Sequence, residues 1–204
     1  AAVAVAAAAA LTVVHPQACG IGGDGFMLIG RAGGVVGINA CGPAPAAADR
    51  AMYADGIPAH GPRCSTVPGV VDGWARALAD HGTKTLAETL APAIDYAEAG
   101  FPVHPRFIEW VGRNGGVLTK GGVGPSPFMP EGEIPALGTL IRQPDLADCL
   151  RAVAEGGRDA YYKGTVAKKL AAGIREAGGY FSEEDLAAYS CRVVEPLSVP
   201  YRDL

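Results

Sequence analysis

The chain has 204 residues, 49% hydrophobic and 19% charged, a globular composition long enough for one good core or two small ones and too apolar for a disordered segment. A formal net charge of -4, with acids and bases interleaved, leaves no basic stripe for nucleic acid and no polybasic arm for anionic lipid, so a small neutral or polar substrate is expected. Five cysteines at irregular spacing argue against a disulfide framework and favour a reducing, cytoplasmic compartment over a periplasmic one.

Ala1 to Val14 is apolar apart from Thr12. It is too short to span a bilayer, and two readings compete for it: the core of a signal peptide, or a buried alanine-rich helix stopped by Pro16. With neither an initiator Met nor a basic stretch ahead of it, the helix is favoured, and the chain is expected to begin inside an element. Next comes Cys19-Gly20-Ile21-Gly22-Gly23-Asp24-Gly25-Phe26, where four glycines crowd between an apolar helical run and an apolar strand. Such density marks a special turn where main chain passes close to main chain or ligand, with Asp24 placed to cap it. The order helix, glycines, strand is the reverse of a dinucleotide-binding loop, which sets its phosphate on a helix N-terminus.

Phe26 to Ile29 and Val35 to Ile38, flanking Arg31-Ala32-Gly33-Gly34, predict a β-hairpin with both strands buried on two sides. After a Gly/Pro-rich connection, Val70, Trp74 and Leu78 recur at helical spacing up to His81-Gly82. Thr85 and Glu88 form a capping-box pattern, Pro92 is expected to start a second helical piece, and Gly100 to end it. Six glycines and three prolines between Gly112 and Pro130 predict an exposed loop. Pro144 opens a helix carrying Leu146, Leu150 and Val153 up to Gly156-Gly157; Val166, Leu170 and Ile174 line another that ends at Gly178-Gly179. Ser182 and Asp185 resemble a third helix start, and Val193 to Tyr201 reads as an edge strand interrupted by Pro196 and Pro200. The fold class is mixed α/β, with helices dominating after residue 65.

His15 and Cys19, and likewise His60 and Cys64, lie four apart, which raises a two-Cys, two-His metal site. Pro16 and Pro62 keep both pairs off regular helices, so buried thiols and surface imidazoles are the preferred reading, and no metal or other cofactor is expected. Cys41, beside Gly42 in the turn after the hairpin, is the best-placed thiol, with a structural role ahead of a nucleophilic one.

Several blocks occur in the order of one family: Gly20-Ile21-Gly22-Gly23-Asp24-Gly25-Phe26, Ala44-Pro45-Ala46-Ala47, Ser65-Thr66-Val67-Pro68-Gly69, Leu90-Ala91-Pro92-Ala93-Ile94, Gly100-Phe101-Pro102-Val103 and Gln143-Pro144-Asp145-Leu146. Tyr162-Lys163-Gly164, Glu184-Asp185-Leu186-Ala187-Ala188-Tyr189 and Glu195-Pro196-Leu197 continue it. The chain resembles the gamma-glutamyltranspeptidase family over essentially its whole length. That resemblance implies a four-layer αββα N-terminal-nucleophile hydrolase whose precursor cuts itself into two subunits and frees a threonine for acyl-enzyme chemistry. Residues 1–204 would then be part of the large subunit, forming one domain with a small subunit from the same precursor, in an oligomer of heterodimers without membrane insertion. The threonine nucleophile is expected on the small subunit, because no threonine here falls in the family's cleavage motif.

Most family members are expected to carry, shortly before the Ala-Pro pair, an arginine that grips the α-carboxylate of a glutamyl substrate. Cys41 stands at that position, Arg50 is the nearest arginine downstream, and a neutral thiol cannot hold a carboxylate. Together with Asp24 in place of a further glycine and Cys19 ahead of the motif, this is closer to the oxamate amidohydrolase-like and acylase branch. Cys41 is the expected substrate-binding residue, and hydrolysis of a small amide other than glutathione the expected reaction. Two alternatives remain: an inactive relative serving as a binding or structural subunit, and a thiol hydrolase using Cys41.

Overall fold

The computed structural model describes residues 1–120, 126–200 and 202. Among them the order is α1 (Ala2–Val14), β1 (Gly25–Arg31), β2 (Gly34–Ala40), α2 (Val70–His81), α3 (Leu86–Ala99), β3 (Phe101–Pro102), α4 (Pro105–Lys120), β4 (Leu140–Ile141), α5 (Pro144–Tyr162), α6 (Thr165–Glu176), α7 (Glu183–Ala188) and β5 (Arg192–Val194). The mixed α/β class expected from the sequence is what forms, and among the described residues no helix is long and apolar enough to cross a membrane.

β1 and β2 form the expected antiparallel hairpin, and β5 adds to the far side of β2 to give the order β1-β2-β5. One face of this sheet lies on α2; behind it α3 packs between α1 and α5. Alanines make that stacking possible, since Ala9, Ala93 and Ala97 are fully buried and let the helix backbones approach closely while Val5, Val13, Leu90, Leu150 and Val153 fill the space. Gln143 locks three of these helices at one end: its side-chain amide donates to the Val13 carbonyl at 3.0 Å, and its backbone N–H to the Ala97 carbonyl at 2.8 Å. Both carbonyls belong to helix termini that have run out of intrahelical partners.

Six sequence expectations need correction. Only one side of α1 is buried, with Val3 and Leu11 exposed. The hairpin is not buried on two sides: Phe26, Leu28 and Val35 are 70%, 73% and 51% exposed, because helices cover the opposite face alone. Pro92 lies inside α3 without ending it; its ring is on the exposed side, while buried Leu90 and Ala93 hold the turns around it. The glycines at 112, 115 and 116 fall within α4, anchored by buried Phe107 and Val111 and by the Arg113–Glu109 pair, so packing overrides their poor helix propensity; residues 121–125 of the expected loop lie outside the described residues. Gly156-Gly157 kinks α5 without ending it: Gly157 takes φ 68° and the helix resumes to Tyr162. The last strand stops at Val194, before Pro196 removes a ladder donor.

Candidate substrate site at the end of the sheet

The glycine turn is fixed from two sides. The Gly23 carbonyl accepts the backbone N–H groups of Gly69 and Val70, both at 3.1 Å, and so satisfies donors that open α2. Tyr161, fully buried, donates its hydroxyl to the Ile21 carbonyl at 2.9 Å. The close approach predicted from the glycine density is real at Gly25, where a Cβ would stand 3.0 Å from Val70 Cγ2, but not at Gly20 or Gly22, which have open space around them.

Asp24 does not cap its own turn. It reaches across the hairpin mouth, where Oδ1 accepts from the Gly42 N–H at 2.8 Å and Oδ2 accepts from the Cys41 thiol at 3.4 Å. The hairpin register, Gly25 opposite Ala40, places residues 24 and 41 opposite each other one step further on. Below, the turn is clamped by residues that follow the Gly/Pro-rich connection. A Cβ on Gly42 would fall 1.6 Å from the Val67 carbonyl oxygen, and one on Gly69 would fall 2.1 Å from the Ala40 carbonyl oxygen and 2.5 Å from the Tyr189 hydroxyl. Glycine is the side chain these two crossings admit. Tyr189 donates to the Cys41 carbonyl at 3.5 Å, and the Cys41 N–H donates to Asn39 Oδ1 at 2.9 Å.

Tyr189 in turn belongs to a buried polar network. Buried Asp72 takes the Arg158 guanidinium on one oxygen and the Cys191 backbone N–H, at 2.6 Å, on the other. Arg158 also donates to the Tyr189 carbonyl and lies 4.6 Å over the Tyr162 ring, which stacks on Tyr189 at 5.6 Å. Every charged oxygen inside is thus partnered, as a buried ion pair requires. Burial, then the hydrogen bond to and charge of Asp72, push the Cys191 thiol up to about 12.

Cys41 is exposed, and its thiol is raised above the ordinary cysteine value by the hydrogen bond to Asp24, by burial and by the Asp24 charge, with Arg192 opposing. The proton is therefore held on sulfur, the reverse of what an activated thiolate needs. Arg50 starts a 3-10 turn (Arg50–Tyr53) capped by Asp49 and is exposed. β5 pairs with β2 so that Arg192 lies directly opposite Asn39, a neighbourhood that sequence spacing does not show.

The suggested metal pairs do not assemble. His15 stacks on His104 and meets Gln17 Nε2 at 2.8 Å, while the Cys64 thiol donates to the Gly61 carbonyl at 3.0 Å. Among the described residues there is no group of three or more His, Cys, Asp or Glu that could hold a metal ion.

The family profile described as gamma-glutamyltranspeptidase matches residues 1–204. The chain belongs to the gamma-glutamyltranspeptidase family. It is 37% identical over 210 residues to a glutathione hydrolase proenzyme of Escherichia coli, an alignment covering 98% of this chain and 36% of that one. It is also 37% identical over 207 residues to an oxamate amidohydrolase proenzyme of Klebsiella pneumoniae, covering 97% and 39%. Among solved structures, the gamma-glutamyltranspeptidase of Helicobacter pylori superposes with a TM-score of 0.92 at 32% identity, over 98% of this chain and 60% of that one. This family member thus spans well under half the length of the curated relatives it matches.

Above the glycine turn, a cleft of about 450 Å³ opens between α1 and β1, lined by Ala8, Leu11, Phe26, Met27 and Trp74, with Asp24 as its one charged lining residue. This cleft and the exposed apolar side chains of β1 adjoin the Cys41 turn.

Proposed function

We propose that residues 1–204 are part of the large subunit of an autoprocessed amidohydrolase or acyltransferase, and that Cys41 and Asp24 line its substrate site. A threonine freed at the start of the small subunit forms the acyl-enzyme, using its own amine as base. The observation that carries this reading is the apolar open face of the sheet, Phe26, Leu28 and Val35, beside a clamped polar turn. Such a face is half of a packed pair of sheets, with the other half arriving from the rest of the precursor. Relatives named as proenzymes, of which the chain covers 36% and 39%, support the same reading.

Substrate choice follows from the turn. The thiol at position 41 is neutral and donates toward the Asp24 carboxylate, so a γ-glutamyl α-carboxylate finds no cationic fork there. The reaction is hydrolysis of another small amide. Denaturing mass measurement of the purified full-length protein should show two fragments whose masses sum to the precursor, and the smaller should begin with threonine. A single uncut mass, or γ-glutamyl transfer outpacing every other amide tested, would remove this reading.

A further inference from the structure

The stretch from Cys41 to Ala46 has few ways to move. Pro43 and Pro45 fix φ at two positions, which leaves backbone N–H groups after Cys41 on Gly42, Ala44 and Ala46 alone. Two of those donors go to aspartates: Gly42 to Asp24 Oδ1 at 2.8 Å, and Ala46 to Asp185 Oδ1 at 2.9 Å. Between them the Pro43 carbonyl accepts from the Val67 N–H at 3.0 Å. A segment this stiff turns as a unit, so whatever holds its ends sets where the Cys41 side chain stands.

Both ends are held from α7. Asp185 is in its first turn, buried Leu186 anchors it among the helices, and Tyr189 follows its last residue. Asp185 divides its oxygens: Oδ2 accepts from the Ser182 N–H at 2.9 Å and closes the helix cap, while Oδ1 takes Ala46. At the other end buried Tyr189, stacked on Tyr162, donates its hydroxyl to the Cys41 carbonyl at 3.5 Å. Burial raises that hydroxyl above its ordinary value, so it stays a donor. The Cys41 carbonyl and the Gly42 N–H belong to one trans peptide and point in opposite directions. Tyr189 and Asp24 therefore hold the two edges of the same plane.

We propose that Asp185 and Tyr189 are positioning residues: α7 clamps the Cys41–Ala46 segment at both ends and so sets Cys41 against Asp24, on the reading above that these two line the substrate site. Neither positioning residue touches substrate; both act through the segment from the helix side of the sheet. With the clamp in place, an acyl group at position 41 meets a thiol and a carboxylate held as one hydrogen-bonded pair. With either end released, the peptide plane is free to rotate and that pair comes apart.

The test alkylates the full-length protein with iodoacetamide across a pH series and reads the rate at position 41 by peptide mapping. The charged groups that act on this thiol are Asp24 and, on the neighbouring strand of the same face, Arg192. Tyr189→Phe keeps the ring on Tyr162 and removes the hydroxyl; Asp185→Ala frees Ala46. Each should move the Cys41 profile to lower pH and raise its rate at about pH 8 by about threefold or more, because a thiol released from a carboxylate ionises more readily. Asp185→Asn still offers Ala46 an oxygen and should return most of the way to wild type. Ser182→Ala weakens the same helix cap without touching the segment, so it should lower the melting temperature and leave the profile unchanged. If Cys41 reacts in wild type and neither Tyr189→Phe nor Asp185→Ala exceeds it, the clamp falls and the reading of the site stands. The same holds if Ser182→Ala shifts the profile as far as Asp185→Ala does. If Cys41 of the folded wild type reacts only once urea is added, the turn does not face a site open to small molecules, and the site reading falls with the clamp. Either single variant decides if the other fails to fold.

Discussion

The two faces of the three-stranded sheet are finished to different degrees. On the helix side, among the described residues, buried side-chain polar atoms other than Gln17 Oε1 have their partners, down to the Asp72–Arg158 pair, and the apolar side chains of α1, α3 and α5 interlock. On the open side Phe26 and Leu28 stand more than two-thirds exposed, and Arg192 has no counter-ion among the described residues. A completed face carries stability; an uncompleted one carries recognition, either of the rest of the protein or of a ligand. In this molecule the two functions meet at the Cys41 turn, which the helix side holds through Tyr189 and the open side presents.

The largest expected effect tests the finished side. Arg158→Met leaves Asp72 buried with one oxygen unpaired, and removal of one partner from such a pair costs about 3 kcal/mol or more. A quarter of the Arg158 side chain is exposed, so the lower end applies. Urea unfolding of the full-length protein measures it, and a loss below about 1 kcal/mol would mean that the network is not what holds this junction.

Phe26→Asp tests the open side. If the rest of the precursor covers this face, the substitution removes a buried aromatic worth about 2 kcal/mol and adds a charge, so stability and self-cleavage should both fall. If the face stays in water in the mature protein, the change should remain within about 0.5 kcal/mol, and the contrast between the faces would vanish.

The helix side was far more legible in the sequence than the sheet side. The Thr85–Glu88 and Ser182–Asp185 capping boxes both form where the pattern puts them, because a cap is a contact between residues three apart. The Val70–Trp74–Leu78 stripe does become the buried face of α2 for the same local reason. Pro92 and the glycines of α4 misled because tertiary burial of Leu90, Phe107 and Val111 outweighs the local cost. At the site, Cys41 and Asp24 could be named from sequence, but their hydrogen bond depends on hairpin register, and Arg192 joins them through a three-residue strand too short to show alternation. Nothing in the local pattern announces that pairing.

A smaller effect belongs to the α3 cap. Thr85 accepts from the Glu88 N–H at 3.2 Å, and Glu88 returns a carboxylate to the Thr85 N–H at 2.9 Å. Thr85→Ala should therefore cost about 1 kcal/mol by thermal or urea unfolding. Lys84 and the Thr85 donors hold the Glu88 carboxyl down at about 2 from an ordinary 4.5. A depressed carboxyl stabilises the fold above its unfolded value and loses that contribution as pH falls from about 4.5 toward 2, so the stability gap between wild type and Glu88→Gln should close across that window. A gap unchanged from pH 5 to pH 2 would show that the cap is not ionic.

The smallest effect is kinetic and returns to the seam between the faces. Asp24 accepts the Cys41 proton and its charge opposes a thiolate, so the thiol titrates above its ordinary value and at neutral pH less of it is ionised. Alkylation requires the thiolate, so Cys41 in the full-length protein should react slowly with iodoacetamide and speed up as pH rises. Asp24→Asn removes the charge while keeping a side chain able to accept from the Gly42 N–H, so the turn stays closed, the thiol ionises at lower pH and the reaction quickens. Peptide mapping of the modified cysteine reads the rate at position 41 alone. Equal rates in the two proteins would mean that the Asp24 carboxylate does not set the protonation of Cys41, and the opposition between Asp24 and Arg192 across the turn would lose its chemical consequence, leaving only their placement on one face.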